Sequence, residues 1–261
     1  MSQFSELVDI VKRLRGPGGC PWDREQTAES LRPCLLEEAY EVLDAIGSSD
    51  PAALRDELGD LLLQVVMQAE FAAEAERFTI EDVIAAILAK MIRRHPHVFA
   101  GAVVADSSDV LRHWSRIKAE ERAAKDGASD RSVLSGIPPE LPALHAAYRM
   151  GEKAARVGFD WASARDALAK VREEIAELEQ ALAAGAPAPI EHELGDVLFA
   201  LASVARLAEQ NPEMALRAAL TRFARRFRRM ETWLTERGRD IHATAPSELE
   251  ALWAEAKAAE G

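Results

Sequence analysis

Two acidic strings in this chain share one pattern. Leu35-Leu36-Glu37-Glu38-Ala39-Tyr40-Glu41 is followed by Glu57-Leu58-Gly59-Asp60, and Val171-Arg172-Glu173-Glu174-Ile175-Ala176-Glu177 by Glu193-Leu194-Gly195-Asp196. On a helix, positions i and i+3 are surface neighbours about 5–6 Å apart at Cβ. Glu174 and Glu177 therefore point the same way, as do Glu193 and Asp196. If the two helices pack antiparallel, four carboxylates converge. Such a cluster is unfavourable unless a cation neutralises it. Oxygen-only donors suit a hard divalent ion, so Mg²⁺ is the expected partner, with Mn²⁺ as a substitute. Glu37 and Glu173 precede the spaced pairs and read equally as surface acids or as supporting groups.

The competing reading is a solvated helix face. The apolar stripe predicted after residue 190 is Ile190, Leu194, Val197, Leu198, Leu201 and Val204. At 100° per residue Glu193 falls at its edge, beside Val197 and Val204, whereas a purely solvating acid sits opposite the stripe. Other metal chemistries lack their residues. A carboxylate-bridged iron pair needs Glu-x-x-His, and none of the six histidines has Glu three residues before it. No Cys/His set has zinc spacing, and no G-x-x-x-x-G-K-[ST] loop is present.

Basic residues recur with the acids. Lys90 and Arg94 match Arg222 and Arg226 in spacing, each pair on one helix face. Cations beside a divalent-ion cluster point to a phosphorylated ligand, with arginine holding phosphate in forked geometry. Arg225, Arg228 and Arg229 read as a wet face. His95 and His97 read as shaping a helix exit. Tryptophan is more often core than platform, but a nucleotide would need a stacking surface, which brings Trp161 and Trp253 into consideration.

The elements that must position these residues are helices almost throughout, since Ala, Leu, Glu and Arg abound and strand-like runs are missing. Helices are predicted over about 3–15, 30–47, 51–76, 80–95, 109–125, 143–156, 163–184, 190–210, 212–237 and 247–258, with Cys20-Pro21-Trp22-Asp23 in a loop. Asp50-Pro51 and Asn211-Pro212 are cap-plus-proline starts, Thr79 caps with Asp82, and Ser247 with Glu250 spells a capping box. Residues 126–142 hold three prolines and Asp126-Gly127, and read as a linker. The two acidic strings lie at one fixed offset, with Glu57 aligning to Glu193 136 residues on, so the chain is an internal repeat. The expected organisation is a module at 1–125, a linker at 126–142 and a second module at 143–261.

The chain has 261 residues, with 32 basic and 44 acidic side chains for a net charge of −12. That surface repels phosphate backbones, which disfavours a general nucleic-acid partner. The apolar runs are too short to span a bilayer, and the first residues lack a secretory core, so the expected compartment is the cytoplasm and no membrane partner is expected. Cys20 and Cys34 fit free thiols there.

The strings Gly19-Cys20-Pro21-Trp22-Asp23-Arg24-Glu25-Gln26-Thr27, LLEEAYEVLDAI (35–46), ELGDLLLQVV (57–66), RRHPHVF (93–99) and VGFDW (157–161), in this order, closely resemble the MazG family of nucleoside triphosphate pyrophosphohydrolases in its two-module form. The resemblance covers nearly the whole chain. It implies an all-α fold of about four main helices per module, assembled as a homodimer. It implies metal-dependent hydrolysis of NTP or dNTP between the α and β phosphates, as in clearing unwanted nucleotides. By that analogy Glu174, Glu177, Glu193 and Asp196 are metal ligands in the C-terminal module, the better attested catalytic one. Lys170, Arg222, Arg226 and Trp253 fall where the family contacts nucleotide. Arg222 stands where relatives often have lysine, and Leu220 where asparagine is common. The N-terminal module keeps Glu38, Glu41, Glu57 and Asp60 with Lys90 and Arg94, which leaves open two active sites. The charge inventory gives Glu173 or Glu177 the task of orienting or deprotonating water, and Arg222 and Arg226 that of offsetting charge on the departing pyrophosphate. A narrower dUTP or phosphoribosyl-ATP hydrolase and a non-catalytic nucleotide- or metal-binding regulator are the alternatives.

Overall fold

The computed structural model describes residues 2–48, 50–106 and 132–259, and between them 109, 110, 113, 114, 116, 117, 120 and 121. Among the described residues there are helices and turns but no strand, as the composition predicts. The chain divides into two compact units, Met1–Lys125 and Asp126–Gly261.

The first unit contains α1 (Gln3–Arg15), α2 (Pro21–Glu25), α3 (Arg32–Ser48), α4 (Pro51–Glu74), α5 (Ile80–Arg94) and α6 (Pro96–Phe99). Two of the predicted starts form as read. Asp50 accepts the Ala52 N–H at 2.9 Å ahead of Pro51, and Thr79 and Asp82 exchange hydrogen bonds in a capping box. The segment at 20–23, predicted to be a loop, instead opens the short helix α2. Pro21 sits at its first position, where a missing N–H costs nothing. α4 closes at Glu74, two residues early. α1, α3 and α5 all pack on α4, around Val8, Val11, Leu31, Val66, Met67, Ala69 and Ile80. Gly19 allows the tight return after α1: a Cβ there would meet the Leu14 carbonyl oxygen at 2.2 Å. Arg15 then fastens the return. It grips both Glu74 oxygens at 2.7 Å, donates to the Gln26 carbonyl at 3.2 Å, and lies over the Phe71 ring.

The second unit contains α7 (Ala143–Ala155), α8 (Ala164–Ala184), α9 (Pro187–Leu207), α10 (Pro212–Glu236) and α11 (Pro246–Ala258), with a 3₁₀ turn at Ile241–Ala243. α9 begins three residues before its predicted start, because Pro187 fits the first helical position. The Ser247–Glu250 capping box does not form. Pro246 starts α11 one residue earlier behind Ala245, so Ser247 already lies inside the first turn. Asn211 caps α10 as predicted, accepting from Glu213 and Met214. α8 stops at Gly185, whose φ of 71° is the left-handed conformation that ends helices. Met230, Leu234, Leu252 and Ala256 lock α10 to α11. Arg206 on α9 pairs with Asp160, one oxygen at 3.1 Å, and so ties the VGFDW string to the hairpin.

The predicted stripe on α9 splits in two. Val197, Ala200, Ala202 and Ser203 are buried, whereas Leu194, Leu198 and Leu201 are exposed. The helix is apolar around most of its circumference, so periodicity alone did not select the packed face. The exposed ladder has a twin in the first unit, Leu58, Leu62 and Val65, also exposed and at the same repeat offset.

Candidate metal and nucleotide site

Each acidic string lies on a helical hairpin, α3–α4 in the first unit and α8–α9 in the second. Two residues connect each pair of helices, which forces them antiparallel and sets the end of one beside the start of the next. Carboxylate oxygens of Glu174, Glu177 and Glu193 all lie within 4.8 Å of one another, and so do those of Glu38, Glu41 and Glu57.

Three of each expected four acids meet. Asp196 lies outside its group and faces His192 Nε2 at 3.5 Å, and Asp60 likewise lies outside. Both stand one turn beyond the glutamate that joins, and aspartate is one methylene shorter. Asp60 still acts on its neighbours through its charge: burial first, then Asp60, Glu41 and Glu57, push Glu38 above the ordinary carboxylate range. Glu57 is raised too, by burial and then by Glu41, Asp60 and Asp56.

The second group holds its own cation. Lys170, one turn before the acids on α8, places Nζ 2.6 Å from Glu173 and 2.7 Å from Glu174. The ammonium is raised by those bonds and Glu174 is lowered by them. Glu177 is raised, because a side-chain hydrogen bond with Glu174 favours its protonated form, and burial and the Glu174 and Glu193 charges outweigh the opposing pull of Lys170. Glu173 is exposed and held by Lys170. Glu37 is exposed. Glu174 is buried, and among the described residues no N–H or hydroxyl group donates to its Oε2. A buried carboxylate oxygen without a donor, facing two further carboxylates, fits a divalent cation through its oxygen donors.

The basic residues take different places. Arg94 is bound to Glu121 at 2.5 Å and Arg93 shares the same carboxylate, which lies at about 2 through the hydrogen bond from Arg94, then that from Arg93. Lys90 is half-buried on α5. Arg222 is exposed and Arg226 half-buried on α10, which packs against α7, α9 and α11. Trp253 belongs to the α10–α11 core, yet its ring also meets Phe223 at 5.0 Å, and Phe223 stacks with Phe227 at 5.9 Å. Sequence reasoning passed over this aromatic row. The signal was there in Arg222-Phe223 and Arg226-Phe227, where cation and ring alternate at helical spacing. It also passed over Trp114, which meets His95 edge-on at 5.1 Å, and the recurrence of W-x-x-x-K at 114–118 and 253–257. His95 Nδ1 lies 2.7 Å from the Met91 carbonyl, consistent with shaping the helix exit. Trp161 is half-buried. Cys20 and Cys34 are free thiols.

Comparison with known proteins agrees with the repeat. Residues 26–99 and 163–234 each match the MazG nucleotide pyrophosphohydrolase domain. The chain is 45% identical over 260 residues to the nucleoside triphosphate pyrophosphohydrolase of Escherichia coli K12, covering 98% of each protein. It is 42% identical to the nucleoside triphosphate pyrophosphohydrolase/pyrophosphatase MazG of Thermotoga maritima, over 97% of this chain and 95% of that one. A Bacillus subtilis protein, the uncharacterized YabN, is 43% identical over 99% of this chain but only 52% of its own length.

Proposed function

The chain belongs to the MazG nucleotide pyrophosphohydrolase family, and from that premise we propose how its residues divide the work. The activity is hydrolysis of nucleoside triphosphates between the α and β phosphates, releasing a monophosphate and pyrophosphate. Its role is the clearing of unwanted nucleotides, and its compartment the cytoplasm. The observation that carries the reading is the Glu174–Glu177–Glu193 group, with its buried Glu174 Oε2 that lacks an N–H or hydroxyl donor among the described residues.

Those three glutamates would hold Mg²⁺, with Mn²⁺ as a substitute, and Asp196, one turn along α9, would be the fourth carboxylate of the set. A divalent ion supplies Lewis-acid stabilisation of phosphoryl charge and makes water a better nucleophile. Glu173 or Glu177 orients the attacking water and accepts its proton as the new P–O bond forms and the α–β anhydride breaks. Arg222 and Arg226 offset charge on the leaving pyrophosphate. Lys170 contacts a phosphate, and the Trp253–Phe223 pair gives the base an apolar wall. Glu38, Glu41, Glu57 and Asp60 form a second cation site, with Lys90 and Arg94 as the basic residues of that module. Arg94 is held by Glu121, which supports assigning turnover to the second module. Residues 1–125 and 143–261 are the two modules and 126–142 joins them; the boundary after residue 125 is supported by the two compact units, the second of which takes in 126–142.

A second copy of the chain completes the molecule as a homodimer. The exposed ladders Leu58–Leu62–Val65 and Leu194–Leu198–Leu201 support this, because apolar rows of that length are normally covered. No helix among the described residues is long and apolar enough to cross a membrane.

The test is pyrophosphate release from a panel of NTPs and dNTPs with Mg²⁺. Glu193→Ala should lose at least ~100-fold in turnover, in line with removing a group that stabilises transition-state charge, while its helical circular dichroism stays that of the wild type. Glu57→Ala should retain most of the activity. Loss only in Glu57→Ala would move the chemistry to the first module. Binding of nucleotide without release by the wild type would make the protein a sensor rather than an enzyme.

A further inference from the structure

Lys170 sits where a cation would be useful. Its Nζ bonds Glu173 Oε1 at 2.6 Å and Glu174 Oε1 at 2.7 Å, leaving Glu174 Oε2 buried without an N–H or hydroxyl donor among the described residues. The side chain of Glu174 is 8% exposed, so its charge needs compensation from within the protein. One ammonium beside Glu173, Glu174, Glu177 and Glu193 neutralises only part of theirs. The repeat provides an internal contrast. The corresponding position on α3 is Cys34, turned into the α1–α4 core, and no Lys or Arg pairs with Glu38, Glu41 or Glu57 among the described residues.

We propose that Lys170 is a displaceable counter-ion, which holds Glu174 in the metal-free centre and passes to a phosphate of the nucleotide when a divalent cation takes its place. This rests on the reading of the α8–α9 group as the metal site. Lysine suits the task because its charge is a compact point on a flexible four-carbon stem, free of the fixed fork of arginine. While Nζ serves two carboxylates it has one donor left for a phosphate. A cation seated on Glu174, Glu177 and Glu193 weakens the field that holds Nζ there and frees those donors. Metal and nucleotide are then coupled through one side chain, and the coupling is reciprocal. Lys170 is a positioning residue toward the metal and a binding residue toward the substrate. The first group, with Cys34, has no such device.

The experiment uses the full chain and Lys170→Met, which keeps the stem and removes the charge. Binding of α,β-methylene-ATP, which cannot be cleaved at the α–β bond, is measured in EDTA and in Mg²⁺. The substitution should weaken binding about tenfold or more in Mg²⁺ and less than about twofold in EDTA. Calorimetric titration with Mg²⁺ alone, in a Glu57→Gln background that removes the first centre, should show tighter binding in Lys170→Met, because a competing cation is gone. Equal loss of analogue affinity with and without Mg²⁺, or weaker Mg²⁺ binding, overturns the counter-ion role while leaving the nucleotide site standing. A wild type that binds the analogue in neither condition overturns both. Circular dichroism of Lys170→Met reports that the helices are intact.

Discussion

Glu57 shows what crowding costs a single acid. Burial and the charges of Glu41, Asp60 and Asp56 raise it above its ordinary 4.5, so its ionised form is disfavoured in the fold. For a raised carboxyl the penalty is absent below 4.5, where folded and unfolded forms are both protonated, and complete above the raised value. Without divalent cation, Glu57→Gln should therefore raise the melting temperature at pH 7, and the gain should vanish at pH 4. With Mg²⁺ present the order should reverse, because the wild type gains a bound ligand that the glutamine variant has lost. Thermal unfolding in EDTA and in Mg²⁺ measures both. A variant less stable than wild type in EDTA would mean that Glu57 is a structural partner and not a metal ligand held in readiness.

Among elements, the corner after α5 depends on one carboxylate from far along the chain. Glu121 collects Arg93 and Arg94, while His95 lies against Trp114, so the described residues of 109–121 brace the end of α5. Glu121→Gln removes a charged acceptor from two guanidinium groups and should cost about 1–3 kcal/mol, read as a lower urea midpoint. Its pKa, lowered to about 2, means that the contribution is complete above 4.5 and is lost as pH falls toward about 2. The gap between wild type and variant should narrow over that interval. A gap that does not change with pH would make the effect one of shape rather than charge.

At the scale of the molecule, the buried core is small for a chain that leaves Leu58, Leu62, Val65, Leu194, Leu198 and Leu201 in solvent. Burying such a row is worth on the order of 25 cal/mol per Å² of apolar surface. Sedimentation should give twice the mass of one chain. Leu62→Glu combined with Leu198→Glu should give a single-chain mass, with each hairpin still helical. A wild-type protein that sediments as a single chain would leave the two ladders without an occupant and remove the dimer from the reading.

Local spacing made legible most of the helices, though not α2, together with the caps at Asp50, Thr79 and Asn211, the repeat, and the register that brings Glu174, Glu177 and Glu193 together; the helix expected at 109–125 lies largely outside the described residues. These rest on bonds and spacings within a few residues, and a hairpin with a two-residue connection leaves one way for its helices to meet. Tertiary packing chose which side of α9 is buried, since Leu194 and Val197 are equally apolar and periodicity does not rank them. It decided that Asp196 stays outside the group across the hairpin, because reach there depends on one methylene and one helical turn. It gave Arg94 to Glu121, a partner 27 residues away that no local pattern specifies, and it buried Glu174 beside Glu193 of the next helix, whereas Lys170 reaches Glu174 by i,i+4 spacing on one helix.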